Sequence, residues 1–536
     1  MLLTVVVPVY NEGNEVVENV ELIRSRVAAG LRGDELEVIV VSDGSIDGTA
    51  ERLLESRGER GIRVIHYDRN LGKGYAVKAG TLAARGDWIG LVDADLDLDP
   101  ASIPSYLEVA RREGLDLAIG SKRHPDSVVN YPRSRRAASW CYQRVNRLLF
   151  NLDVRDTQVG LKVFSRRVAD EVVPLLLVKR FAFDLELLAV ATSRGYDRIR
   201  ELPVRLDYRF SGSGVRSLAV LGALWDTAAI FYRLRILRTY ERKRRLFHGT
   251  HELPLVSVVG DRRALELLDY PRLEAGEGGE LVAVLAPGSR PSGNWVSAAV
   301  PYFAHRDVAA VVVPTVAAND GPLSRRVAAA VLESRLASGS RRSSYFPGNV
   351  RTVTDHPSGD VVIRRADYLA SKERTVDDDR LVAWLAGESK TTLYTPDAFV
   401  SASPPPLVRP HLAATVAHAR ARGEAARRTR GASLSLATAL SLTPLLAAIA
   451  AVVLLFVGGG ARDAGFALLL AYAAALLASG VHAAARFHSL SVGLLEPPAV
   501  VATQAAYLVG FLRGLIGAPR RASAADPRAA PPSRTA

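Results

Sequence analysis

Four carboxylates alternate along Leu91-Val92-Asp93-Ala94-Asp95-Leu96-Asp97-Leu98-Asp99-Pro100, directly after an apolar run. In an extended segment Asp93 and Asp95, two residues apart, can chelate one hard cation, and such an ion carries a diphosphate. Taken alone, the run also fits a solvated acidic turn. Three further clusters sit in equivalent surroundings. Tyr10-Asn11-Glu12 follows the apolar run from Leu2 to Val9, Asp43 follows the run from Leu36 to Val41, and Lys73 lies in Arg69-Asn70-Leu71-Gly72-Lys73-Gly74 after Ile62 to Tyr67. Glycines and a lysine at a helix start suit close approach to a phosphate.

These residues need elements that bring them together. Each apolar run has strand length and is followed by a helical stretch, from about Glu15 to Ala28, from Ala50 to Glu59, and up to Ala84. Gly44 and Gly48 permit a tight turn, and Asp47 or Thr49 can cap the second helix. Strands alternating with helices at this spacing predict an α/β fold, a mostly parallel sheet with helices on both faces. The carboxyl ends of such strands converge on one crevice, which makes four independent ordinary turns the poorer explanation.

The chain has 536 residues, 48% of them hydrophobic, enough for two or three domains. A net charge of +13 points to an anionic partner. Apolar segments near the end favour lipid and phosphate over nucleic acid. The single cysteine, Cys141, excludes an intramolecular disulfide and fits a reducing compartment. Leu2 to Val9 is too short for a signal core and reads as a strand.

Together, Pro8-Val9-Tyr10-Asn11-Glu12, Ser42-Asp43-Gly44-Ser45, Asn70-Leu71-Gly72-Lys73-Gly74 and Asp93-Ala94-Asp95 resemble the ordered motifs of inverting family-2 glycosyltransferases with the GT-A fold. Ile119-Gly120-Ser121-Lys122, Asp156-Thr157-Gln158-Val159-Gly160-Leu161-Lys162-Val163-Phe164 and Phe183-Asp184-Leu185-Glu186-Leu187-Leu188 narrow the resemblance to the dolichyl-phosphate glucose and mannose synthase branch, which includes bacterial polyprenyl-phosphate glycosyltransferases. The likeness covers about residues 4 to 210.

The resemblance implies that Pro8, Tyr10, Glu12, Asp43, Lys73 and Asp93 hold a nucleotide sugar, with Lys73 near the diphosphate. Asp95, with Asp93 and Asp97, would bind Mg²⁺ or Mn²⁺, hard ions suited to oxygen ligands. Asp156 is the first choice for a base near the anomeric carbon, with Asp184 and Glu186 as rivals; both rivals also suit a helix N-terminus. A phosphate monoester is already a dianion near neutral pH, so a strong base is a minor requirement. Lys122, with Arg123 beside it, stands where relatives carry arginine, and either can meet an acceptor phosphate, as can Arg136 among Arg133 and Arg135. The alternatives are transfer to a growing glycan or other lipid, and a noncatalytic membrane scaffold.

The chain is expected to divide into a catalytic GT-A domain (1–215), a basic amphipathic interfacial segment (216–250), a degenerate glycosyltransferase-like module (251–430), two or three membrane helices (431–518) and a disordered tail (519–536). From Ser217 to Leu237 apolar residues alternate with Asp226, Arg233 and Arg235, and Glu241-Arg242-Lys243-Arg244-Arg245 follows, a pattern suited to an anionic headgroup layer. In the second module Ala286, Pro287 and Gly288 stand where the first has acids, so no metal-nucleotide site is expected there. Asp377-Asp378-Asp379 and Tyr394-Thr395-Pro396-Asp397 resemble an acceptor-side region. Uncharged runs over Ala432 to Ala461 and Ala464 to Ala485, and a shorter one over Pro497 to Leu512, are read as membrane segments of a multi-pass plasma-membrane protein. Arg420, Arg422, Arg427, Arg428 and Arg430 would keep residues 1 to 430 cytosolic. A homo-oligomer is left open.

Overall fold

The computed structural model describes residues 1–516 apart from 57–61, 68, 130–132, 179–181, 207–216, 247–252, 318–320, 339–341, 343, 355, 357–358, 377–380 and 429–435. The Asp377-Asp378-Asp379 run, Arg430 and the expected tail lie outside the described residues.

The first sheet contains β1 (Leu2–Val9), β2 (Glu35–Asp43), β3 (Ile62–Tyr67), β4 (Trp88–Leu91), β5 (Leu117–Ser121), β6 (Lys162–Ser165) and β7 (Ile199–Pro203), in the order β3-β2-β1-β4-β6-β5-β7. All neighbours are parallel except β6, which runs antiparallel to β4 and β5. Helices α1 (Val16–Gly30), α2 (Thr49–Ser56), α3 (Lys73–Ala83), α4 (Ser102–Glu113), α5 (Arg133–Phe150) and α6 (Phe183–Ser193) connect the strands.

β1 shows why a continuous β-branched run makes a central strand. Val5, Val7 and Val9 pack with Val38, Val40 and the Val16, Val20, Ile23 and Val27 stripe of α1, while Val6 packs on the other face with Ile39, Val41, Ala76, Phe164 and Leu185. Both faces are covered, so the strand has no polar side, as parallel sheets require. Just before α2 the Asp47 carboxylate accepts the Thr49 N–H at 3.1 Å and the Thr49 hydroxyl at 2.6 Å, a turn that leads into the helix.

Next come α7 (Ser217–Phe231), a π-helical turn at Tyr232–Ile236, and α8 (Thr239–Leu246). Leu224, Trp225, Tyr232, Ile236 and Leu237 are exposed, whereas Tyr240 and Lys243 are buried. The segment is therefore not a free linker, since α8 is anchored in the core.

The second sheet contains β8 (Val256–Val259), β9 (Leu273–Ala275), β10 (Leu281–Val284), β11 (Val308–Val312), β12 (Arg351–Val353), β13 (Val361–Arg364) and β14 (Thr391–Tyr394), in the order β9-β8-β10-β13-β11-β14-β12. β13 is antiparallel to both neighbours, as β6 is in the first sheet. The run β9-β8-β10-β13-β11-β14 repeats β2-β1-β4-β6-β5-β7 position for position. Among the described residues the second sheet has no counterpart of β3, and it gains β12 at the opposite edge.

By contacts the chain forms two compact units, Met1–Val316 with Pro347–Ser401, and Ala317–Phe346 with Ala402–Ala536. Both sheets belong to the first unit. This partition runs through the expected 251–430 module: residues 317–346, including α9 (Leu323–Glu333), group with the C-terminal helices, as does the chain from Ala402 onward. Those helices are α10 (Leu412–Arg428), α11 (Leu436–Leu454), α12 (Gly459–Arg486) and α13 (Leu490–Ile516). Among the described residues α12 and α13 are long and apolar enough to cross a membrane. The first uncharged run ends earlier than expected, because Gly458 and Gly459 adopt positive φ and start α12 there, with Arg462 and Asp463 in its first turns. The third run, expected to be short, belongs to a helix of 27 residues that contains Glu496, Pro497 and Pro498.

Candidate active site

The carboxyl ends of β1, β2 and β4 deliver the sequence-predicted residues to one edge of the first sheet. Pro8, Lys73, Val92, Asp93, Gly160, Phe183 and Asp184 line one cleft there. At its centre the Lys73 Nζ sits 2.6 and 2.8 Å from the two Asp93 carboxylate oxygens. Burial alone would lower the Lys73 pKa, but Asp93, Asp184 and Asp95 more than offset it, and the ammonium is pushed up to about 12. Lys73 therefore stays charged wherever the protein works. Gly160 backs Asp93 so closely that a Cβ there would lie 2.2 Å from an Asp93 oxygen.

Glu12 and Asp95 flank this pair. Burial raises the pKa of each carboxyl, and neighbouring acids raise it further, Asp95 and Asp93 for Glu12, and Asp93 and Asp97 for Asp95. Three acids thus crowd one lysine, leaving negative charge that a cation would relieve. Among the described residues no group of three or more His, Cys, Asp or Glu side chains gathers as a metal cage. Of the expected Asp93-Asp95-Asp97 trio, Asp93 is paired with Lys73, and Asp97 donates its backbone N–H to Asp95 at 3.1 Å, closing the turn at Leu96, whose φ is 58°. One or two carboxylates with water and diphosphate oxygens still suffice for Mg²⁺ or Mn²⁺.

Asp43, an expected nucleotide contact, and Asn11 hold the backbone. Asp43 is buried and accepts the N–H groups of Leu71 at 2.7 Å and Gly72 at 2.9 Å, fixing the turn that starts α3. Gly44 must be glycine, because its φ is 67° and a Cβ would meet the Asn70 nitrogen at 2.2 Å. Asn11 accepts the Ile46 N–H at 2.9 Å, which pins the first strand-end loop to the second beside the half-exposed Tyr10.

The three candidate bases separate. Asp184 lines the cleft and accepts a 2.6 Å bond from Lys162 Nζ. Asp156 lies outside it and receives the backbone N–H of Lys122 at 3.1 Å and of Gln158 at 3.3 Å. Glu186 is fully buried, and its carboxylate accepts the N–H groups of Leu177 and Val178 and the Tyr240 hydroxyl. These three donors occupy its carboxylate, and it does not line the cleft. Arg136 lies on α5, with its side chain outside the described residues. Farther along α5, Arg144 and Arg147 join Arg123 and Arg155 around a cavity of about 200 Å³. Gln143 also lines it and accepts the Thr157 hydroxyl at 3.1 Å. The turn from Asp156 to Gly160 therefore connects the arginine cavity with the Lys73–Asp93 cleft.

Sequence reasoning missed Lys162, Lys78, Arg144, Arg147 and Arg155. Lys162 carried a signal, a lysine inside the apolar stretch Val159 to Phe164. A lysine that is 1% exposed needs a buried anion, which Asp184 supplies.

The acid–lysine cleft lies at the carboxyl ends of the strands of a doubly wound sheet, where such folds take their ligands. Residues 4–173 match the model of glycosyl transferase family 2. The chain is 31% identical to a dolichyl-phosphate beta-glucosyltransferase of Trichomonas vaginalis, over 40% of this chain and 68% of that one. It is 35% identical to glycosyltransferase AglD of Haloferax volcanii, over 38% of this chain, and spans about a third (32%) of that relative. Among solved structures, glucosyl-3-phosphoglycerate synthase from Mycobacterium tuberculosis with UDP shares 20% identity, covering 43% of this chain and 78% of that one with a TM-score of 0.32. The chain belongs to glycosyl transferase family 2, and its fold is GT-A.

Proposed function

We propose that the first module transfers a hexose from a nucleotide sugar, of the UDP-glucose or GDP-mannose type, to polyprenyl phosphate with inversion at the sugar carbon. The observation that carries this reading is the arginine cavity beside the Asp156–Gly160 turn. Guanidinium groups bind phosphate oxygens in pairs, and four of them around one cavity suit a lipid phosphate headgroup. The relatives named for dolichyl phosphate support the same acceptor class.

The chemistry needs little proton transfer. A phosphate monoester dianion attacks the anomeric carbon; its oxygen–carbon bond forms as the bond to the nucleoside diphosphate breaks. In this reading Lys73 meets the charge that builds on the leaving diphosphate, and Lys162 holds Asp184 in the lining of the same cleft. Asp95 and Asp93 fit a single Mg²⁺ or Mn²⁺, which when bound supplies further positive charge to the diphosphate. Asp156 orders the turn between donor and acceptor through its two backbone bonds.

In this reading α12 and α13 hold the protein in the membrane, and the arginines preceding them keep the first module cytosolic. The exposed Trp225, Ile236 and Leu237, with Arg233, Arg235 and Arg238 among them, meet the headgroups of the same leaflet. Membranes containing the protein, incubated with labelled nucleotide sugar and polyprenyl phosphate, are expected to yield acid-labile label in the lipid extract. That label should vanish with Asp95→Ala while folded protein persists. Label that appears only in polymer overturns the acceptor, and undiminished transfer by Asp95→Ala overturns the site. Converting Arg144 and Arg147 together to alanine should raise the KM for polyprenyl phosphate at least tenfold and leave that for the nucleotide sugar within twofold.

A further inference from the structure

A buried cluster ties the second module to the wall of the cleft in the first. Lys78 on α3, Lys243 on α8 and Asp397 after β14 are 6%, 3% and 7% exposed. Asp397 accepts Lys78 Nζ at 2.6 Å on one oxygen and Lys243 Nζ at 3.1 Å on the other. Lys78 spends its remaining protons on the carbonyls of Pro174 and Leu176, both at 2.9 Å. The next two residues, Leu177 and Val178, donate their N–H groups to Glu186 on α6, at 3.0 and 2.8 Å. The first turn of α6 carries Phe183 and Asp184, which line the cleft. Val178 and Phe183 also press on α3, where a Cβ at Gly74 would lie 2.7 Å from each.

The loop bearing Asp397 is held by the region that replaces the acidic motif in the second module. Asn294 Nδ2 donates to the Asp397 carbonyl at 2.9 Å, and Ser292 Oγ accepts the Phe399 N–H at 3.1 Å. The same segment closes over aromatic rings of the first module, since Phe399 meets Tyr67 and Tyr75 with centroids 5.6 and 6.4 Å apart.

We infer that Asp397 is a positioning residue for sugar transfer in the first module, holding the Pro174–Val178 loop through Lys78 and thereby the Phe183–Asp184 wall. The second module, without acids of its own at Ala286 to Gly288, is then a clamp on the working site. Its anion is placed where the first module leaves a buried lysine without one. Removing it leaves two buried ammonium groups facing each other, and Lys78 can no longer hold both carbonyls in place. Glu12 follows β1 and Asp43 ends β2, away from the Pro174–Val178 loop that Lys78 holds.

The inference rests on the first module being a sugar-transfer site, so its test has one arm that needs no transfer. In the full-length protein Asp397→Asn and Lys78→Met should each lower kcat about tenfold with nucleoside diphosphate affinity within twofold. The double variant should be no worse than Lys78→Met alone, because Asp397 acts through that lysine. Lys243→Met, which breaks a bond to Asp397 but none to the loop, should lower thermal stability and leave kcat within twofold. In the activity-independent arm, hydrogen exchange at the Leu177 and Val178 amides should rise at least tenfold in Asp397→Asn and Lys78→Met. Unchanged exchange there, or a double variant that loses the product of the two single effects, overturns the inference. Absence of transfer by the wild type, with the exchange pattern as expected, would overturn the acceptor reading and leave the clamp standing.

Discussion

At the scale of single residues the cleft depends on how closely Asp93 is confined. Lys73 holds its two oxygens from one side and the backbone of Gly160 lies against them from the other. Gly160→Ala should push the carboxylate away from Lys73 with little loss of core packing. We expect at least a tenfold fall in kcat/KM for the nucleotide sugar and a thermal midpoint within ~2 °C of wild type, about the shift of a sub-kcal/mol change. Normal kinetics would mean that Asp93 has room to move. The chemistry of Asp93, Asp95 and Lys73 was legible because a polar residue at the end of a buried strand has few purely structural uses. The difference between Asp184 and Glu186 was not. Two residues apart on a helix, they point roughly 200° from each other. One faces the cleft and the other faces Tyr240, and the sequence does not say which.

At the scale of elements, α8 shows how a charged run divides between surface and core. Arg242, Arg244 and Arg245 are exposed, while Lys243 turns inward to Asp397. Periodicity alone made the run a basic face, because a buried lysine is recognised only with its anion, and this anion lies 154 residues away. Burial, with Lys78 as a neighbouring cation, lowers the Lys243 pKa despite the pull of Asp397. The unfolded chain therefore binds this proton more tightly than the folded one. Between the lowered folded value and the ~10.4 of a free lysine, the lysine's contribution makes stability rise with pH. The buried phenols near Asp397, Tyr75 and Tyr302, are raised above their ordinary value and resist ionisation in that window. Denaturation midpoints measured from neutral to mildly alkaline pH should climb in the wild type and climb less in Lys243→Met. Parallel slopes would remove Lys243 as the source.

At the scale of the whole molecule, two sheets share nearly the same strand order but end in different residue types. Ala286-Pro287-Gly288 follows β10, and there Asp360 accepts the Ala286 N–H at 2.9 Å, so the backbone at this strand end is satisfied internally. That difference was readable from residue types; the excursion of residues 317–346 was not, because α9 looks like any amphipathic helix of an α/β module. Its buried Val327, Ala330 and Val331 pack instead with Ala483, Val492 and Val500 of α12 and α13. The Ser334 hydroxyl lies 3.0 Å from that of Ser479, and Arg486 pairs with Glu333 at 3.4 Å. A chain stopped after Ser401 would therefore keep both sheets but bare the apolar side of α9 to water. Such a protein should aggregate, whereas the same truncation with 317–346 replaced by a short Gly/Ser linker should be soluble and monodisperse by size-exclusion chromatography. If the first truncation is equally soluble, α9 has another partner within the sheet unit and the division of the chain falls elsewhere. If only the linker version is soluble, α9 belongs with the C-terminal helices, as its packing against Ala483, Val492 and Val500 requires.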